Sequence, residues 1–161
     1  MTNRDDDNIG KLKKEFEKVR EKYGLPSFEE LDNEFEIRKI DFDLHLVRET
    51  RRAMTHRLTA IADLLEPILN PSEANLHSAI ESKHFDKNDV DDMFSYYKKL
   101  WHHVHEGVVA SLISEKDEAD FIKAMWKIWP EIKKTALKYA QKITESWKKE
   151  DTPRSTDHYL S

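Results

Sequence analysis

Three observations predict an all-α fold, an antiparallel helical bundle of three long helices with two or three shorter ones. Every apolar run of useful length repeats at a period near 3.6 residues, as an amphipathic helix requires, and the β-branched residues keep that spacing. Charged residues make up 37% of the chain, while glycines and prolines number only three and five, a balance that favours long solvated helices over turn-rich sheets. Helix-start signals separate the runs, and the short connections between them make consecutive helices antiparallel neighbours.

Residues 1–8 are polar and carry no stripe, so they are expected to be disordered. Ile9, Leu12, Phe16, Val19 and Tyr23 then recur at spacings of 3, 4, 3 and 4, and the helix stops at Gly24. This stripe is as narrow as a coiled-coil seam, which makes Leu12, Phe16 and Val19 candidates for binding a partner, a second copy of the chain included. Leu25-Pro26 breaks the pattern, and Ser27-Phe28-Glu29-Glu30 has the form of a capping box opening a short helix to about Glu34.

A long helix from Asp41 to Leu69 is predicted from Val47, Met54, Leu58, Ile61, Leu65 and Ile68, with Pro67 kinking or shortening its last turn. Asn70-Pro71-Ser72-Glu73 should restart a helix carrying Leu76, Ile80 and Phe85. Asp86-Lys87-Asn88-Asp89 caps the next, whose predicted core face is Val90, Met93, Phe94, Tyr97, Leu100, Trp101, Val104, Val108 and Leu112. Ser114-Glu115-Lys116-Asp117 begins the last helix, which runs to Lys149 and is striped by Phe121, Met125, Ile128, Trp129, Ile132, Ala136, Tyr139, Ala140, Ile143 and Trp147, with Pro130 as a kink. The whole reads as one domain over residues 9–150, followed by a disordered tail, residues 151–161.

The run Tyr23-Gly24-Leu25-Pro26-Ser27-Phe28-Glu29-Glu30-Leu31-Asp32, followed by Phe35-Glu36-Ile37, resembles a segment of small uncharacterised archaeal all-helical proteins. That resemblance implies an archaeal source and a helical fold, and brings no activity with it.

Composition excludes several classes of function. The chain has no cysteine, which removes disulfides, thiolate zinc sites, iron–sulfur clusters and cysteine nucleophiles. Three isolated glycines supply no phosphate-cradling loop, and neither a Walker motif nor a dinucleotide fingerprint nor a nucleophile elbow is visible, so no cofactor is expected. No apolar run approaches the roughly 20 residues that span a bilayer, and the N-terminal residues lack the apolar core of a signal peptide. The expectation is a cytoplasmic protein with no membrane association.

Four groups of residues remain as candidate sites. His102 and Glu106 are four apart and His102 and His105 three apart, so these three side chains can converge on one zinc, iron or manganese ion, while His103 points elsewhere. A di-iron bundle would need two Glu-x-x-His motifs, and only Glu81-Ser82-Lys83-His84 has that form. Arg48 and Arg52 share the outer face of the third helix, with Arg51 on its flank, and their forked donors suit phosphate oxygens, unless they pair with Asp63, Glu66 or a neighbouring helix. Lys123, Lys127, Lys134 and Lys138 fall within about 60° on the last helix. Residues 121–149 hold eight lysines against two acids. A local surplus of this kind steers toward RNA or an acidic partner, although the whole chain carries a net charge of −5. Trp126 lies at the border of the last stripe, where tryptophan covers a neighbour or anchors a partner.

No catalytic constellation emerges, so the chain reads first as a non-catalytic interaction protein binding a protein or ribonucleoprotein partner. Direct RNA or DNA binding through the basic faces is the second reading. A metal-dependent enzyme built on His102, His105 and Glu106 is the third.

Overall fold

The computed structural model describes residues 2–41, 45–72 and 75–148, with side chains from Asp7 onward. Among these the fold is all-α, 86% helical and without strands, with three long helices packed on one another. In chain order the helices are α1 Thr2–Tyr23, α2 Phe28–Phe35, α3 Leu46–Leu69, α4 Leu76–Ser82, α5 Lys87–Ile113 and α6 Glu115–Ser146, with a 3-10 turn at Ile37–Lys39. The tail expected at 151–161 lies outside the described residues.

Helix α1 begins at Thr2, so it takes in most of the segment expected to be disordered. At its other end Gly24 adopts φ 67°, and its amide donates to the carbonyl of Arg20 at 2.8 Å. Only a glycine takes this left-handed conformation without strain.

That turn folds α2 back along α1, and the seam closes from within the chain. Phe16 is 1% exposed and meets Phe28 edge-on, with ring centroids 5.7 Å apart, while Leu12 is equally interior. Val19 and Tyr23 are partly buried against the same core. The expected partner seam of Leu12, Phe16 and Val19 is therefore part of the protein's own interior, because the predicted stop at Gly24 brings Phe28 and Leu31 within reach of it.

Several caps form as the sequence implies. Ser27 Oγ accepts from Glu30 N at 3.3 Å while Glu30 Oε2 accepts from Ser27 N at 2.8 Å, and Asp86 and Asp89 make the same reciprocal pair at the start of α5. Helix α4 differs. Its cap is Asn75, not Asn70, and the buried Ser78 hydroxyl donates to the carbonyl of Pro67 at 2.6 Å, tying α4 to the end of α3. Pro67 and Pro130 both lie inside continuous helices.

Helices α3, α5 and α6 are in mutual contact and enclose the core residues Met54, Leu58, Met93, Leu100, Ile122 and Met125. Helix α5 buries Met93, Tyr96, Leu100, Gly107 and Ala110 and packs Val90, Tyr97, Trp101 and Val104 against the core, so six of the nine residues of the predicted face lie inward and the buried arc extends past its edge to Tyr96, Gly107 and Ala110. The other three, Phe94, Val108 and Leu112, stand exposed. Bulk misleads the prediction here, since the closest approach is made by the residue with no side chain. A Cβ on Gly107 would lie 2.7 Å from Thr55 Cγ2 on α3 and 3.0 Å from Phe121 Cζ on α6.

Gly107→Ala is accordingly expected to destabilise the fold by about 1–3 kcal/mol through overpacking, outweighing the roughly 1 kcal/mol that alanine gains over glycine in a helix. Urea unfolding measures the difference, and a neutral or stabilising result would mean that α3 and α6 give way without cost.

Candidate functional site

Helix α5 ends in the run Val108-Val109-Ala110-Ser111-Leu112-Ile113, apolar on nearly every side. A helix of this kind is normally buried. Here only Ala110 is interior, while Leu112 is 81% exposed, Ile113 66%, and Val108 and Val109 about half. Val109 and Ile113 are one turn apart and form one wall of a groove between α5 and α6. Its other wall is Phe121, Ala124, Met125 and Ile128, and its volume is about 700 Å³.

The histidines stand at the far end of this groove, and His103 continues into an adjoining cavity bordered by Tyr96, Ile128 and Thr135. Glu106 receives two of them. His102 Nε2 lies 3.3 Å from its Oε1, and His103 Nδ1 lies 2.7 Å from its Oε2. The three ligand-type atoms all fall within 4.8 Å of one another.

This corrects the expected set of His102, His105 and Glu106. His105 instead tilts against Trp101, one turn back, with ring centroids 5.9 Å apart. His103, expected to point elsewhere, joins the cluster because Glu106 is i+3 to His103 and i+4 to His102, so one carboxylate gathers both. The pattern His-His-x-x-Glu was the signal. Glu81 of the lone Glu-x-x-His motif is taken up differently, accepting from the Trp147 indole at 2.9 Å.

Acids line the groove's opposite end. Asp117 caps α6 together with Ser114, and Asp120 is held between Lys116 at 2.7 Å and Lys123 at 2.8 Å. Hydrogen bonds from those two lysines keep the Asp120 carboxyl down at about 2. Lys123 therefore belongs to an ion pair on the groove's rim. Of the other lysines in the predicted stripe, Lys138 sits 5.3 Å over the ring of Tyr139, and Lys127 and Lys134 are exposed.

Of the three arginine candidates, Arg51 is drawn into the fold while Arg48 and Arg52 stay at the surface. Arg51 is buried, and its Nε donates to Glu118 Oε2 at 2.8 Å, while Arg48 reaches the other oxygen of Glu118 at 3.5 Å. Arg52 pairs with Glu49 on its own helix at 2.7 Å. Arg51 is thus not available to a phosphate, because α6 packs over that flank of α3 and supplies the carboxylate. The alternative of pairing to a neighbouring helix is the one realised.

Trp126 is partly buried, 6.4 Å from Phe35 in an edge-on contact, next to Trp129 at 4.6 Å from the same ring. It closes the edge of the core over α2 and does not stand free as an anchor. The surface residues that were missed are Val109 and Ile113, whose exposure depends on where α6 lies.

No family model matches the chain, and no curated protein or solved structure matches it. Among the described residues, no helix is long and apolar enough to cross a membrane.

Proposed function

We propose that this protein is a non-catalytic, cytoplasmic helical interaction module that binds an amphipathic helix of a protein partner along the α5–α6 groove. One observation carries the reading. The last turn and a half of α5 is apolar on its outer side, at Val108, Val109, Leu112 and Ile113, with nothing from the described chain over it. Exposed apolar patches bordering a groove mark interaction sites, and a groove between two helices receives the apolar face of a third.

The second reading, nucleic-acid binding, rests on fewer residues than the sequence suggests. Phosphate contacts require cations free along a face. Arg51 is buried on Glu118, and Arg48, Arg52 and Lys123 stay at the surface but each pair with a carboxylate, which leaves Lys127, Lys134 and Lys138 as the exposed cations of the two predicted faces.

Photo-crosslinking in cells distinguishes the readings. A photoreactive residue replacing Leu112 is expected to give a discrete, nuclease-resistant adduct with another protein, and the same probe at Lys134 is expected to give none. Nuclease-sensitive adducts arising from Lys134 alone would overturn the proposal in favour of nucleic acid. An adduct of twice the chain's mass would identify the occupant as a second copy.

A further inference from the structure

We infer that His102, His103 and Glu106 form a binding site for one divalent transition-metal ion of the zinc type. The donor set is two imidazoles and one carboxylate, which suits zinc, nickel or copper and not the oxygen-seeking calcium or magnesium. The three donors are near enough to converge. Ligand atoms bound at 2.0–2.1 Å in a tetrahedral array lie about 3.3 Å apart; here His102 Nε2 is 3.3 Å from Glu106 Oε1 and His103 Nδ1 is 2.7 Å from Glu106 Oε2, and all three ligand atoms fall within 4.8 Å, so side-chain rotation alone brings them onto one ion.

All three side chains project from consecutive turns of one long helix, so the backbone that presents them is rigid and no loop has to close. The site opens to solvent, with the His102 side chain 69% exposed and that of Glu106 49%. An ion can therefore enter without unfolding the chain. Three protein ligands leave at least one coordination position for water or a side chain from outside, as in exchangeable zinc sites and unlike closed structural ones. His105 has no part in it, since its ring is engaged with Trp101. The inference does not depend on what occupies the groove.

The test titrates the untagged full-length chain, stripped with chelator, with Zn²⁺ by calorimetry and with Co²⁺ by visible absorbance. Uptake saturating at one ion per chain is expected. Losing even an outer-shell partner of a metal site costs about tenfold in affinity, so His102→Ala, His103→Ala and the exposed Glu106→Gln should each weaken binding by at least that factor. His105→Ala should leave it unchanged. Circular dichroism confirms that each variant keeps its helix content. The site is refuted by absence of saturable one-to-one uptake, by uptake indifferent to His103→Ala and Glu106→Gln, or by an equal loss in His105→Ala.

Discussion

Replacing Glu118 with alanine is expected to destabilise the protein by about 3–5 kcal/mol, among the largest effects of any single substitution in this chain. Glu118 is 1% exposed and lies in the first turns of α6, where its two oxygens receive Arg51 at 2.8 Å and Arg48 at 3.5 Å from α3. Removing the carboxylate leaves the Arg51 guanidinium buried without a counter-charge, and it is this orphaned charge, more than the lost attraction, that carries the cost. For a chain of this length about 2–4 °C of melting temperature accompanies each kcal/mol, so a drop on the order of 10 °C should be visible. The double variant Arg51→Met with Glu118→Leu restores most of the loss if the pair serves packing alone, because apolar residues of similar volume replace buried ion pairs at little penalty. A Glu118→Ala chain as stable as wild type would show that Arg51 swings out to water.

Phe16→Ala should be nearly as costly, at about 3–5 kcal/mol. The ring is 1% exposed and meets Phe28 of α2 edge-on, so its removal opens a cavity where α1 packs on α2. The readout separates two roles for α1. A seam facing a second copy would lose association while its fold stayed intact. An interior residue instead shifts the urea midpoint and leaves the mass of the folded chain, measured by light scattering, as it was. A variant of undiminished stability and altered mass would return α1 to an interface.

Much of this architecture is legible in residue order, and the reason is local. Capping boxes at Ser27 and Asp86, the cap at Ser114, the left-handed stop at Gly24 and the period of the α3 stripe are interactions within a few residues, so the sequence by itself determines where α2, α5 and α6 begin and which face of α3 is apolar. By contrast α1 starts earlier than expected, at Thr2, and α3 later, at Leu46 instead of Asp41. The cap of α4 shows the limit of that reasoning. The expected cap is Asn70; the helix instead starts after Asn75, with Ser78 donating to the carbonyl of Pro67, eleven residues back, a contact no local pattern announces.

The candidate site depends on tertiary structure more heavily. A helical wheel ranks faces by bulk, which places Val108 and Leu112 inside α5. The packed protein also ranks them by approach distance, and at Gly107 there is no room for a Cβ beside Thr55 of α3 and Phe121 of α6. With α5 so placed, Val108, Val109, Leu112 and Ile113 stand exposed, whereas the pairing of His103 with Glu106 and of His105 with Trp101 is local to α5 and follows from their spacing of three and four residues. Arg51 follows the same rule, since whether an arginine faces solvent or a carboxylate is settled by the helix laid across it. What the sequence alone determined was the set of helices and their amphipathic character. Which residues those helices hide and which they present was decided only by their packing, because it rests on contacts between residues far apart in the chain.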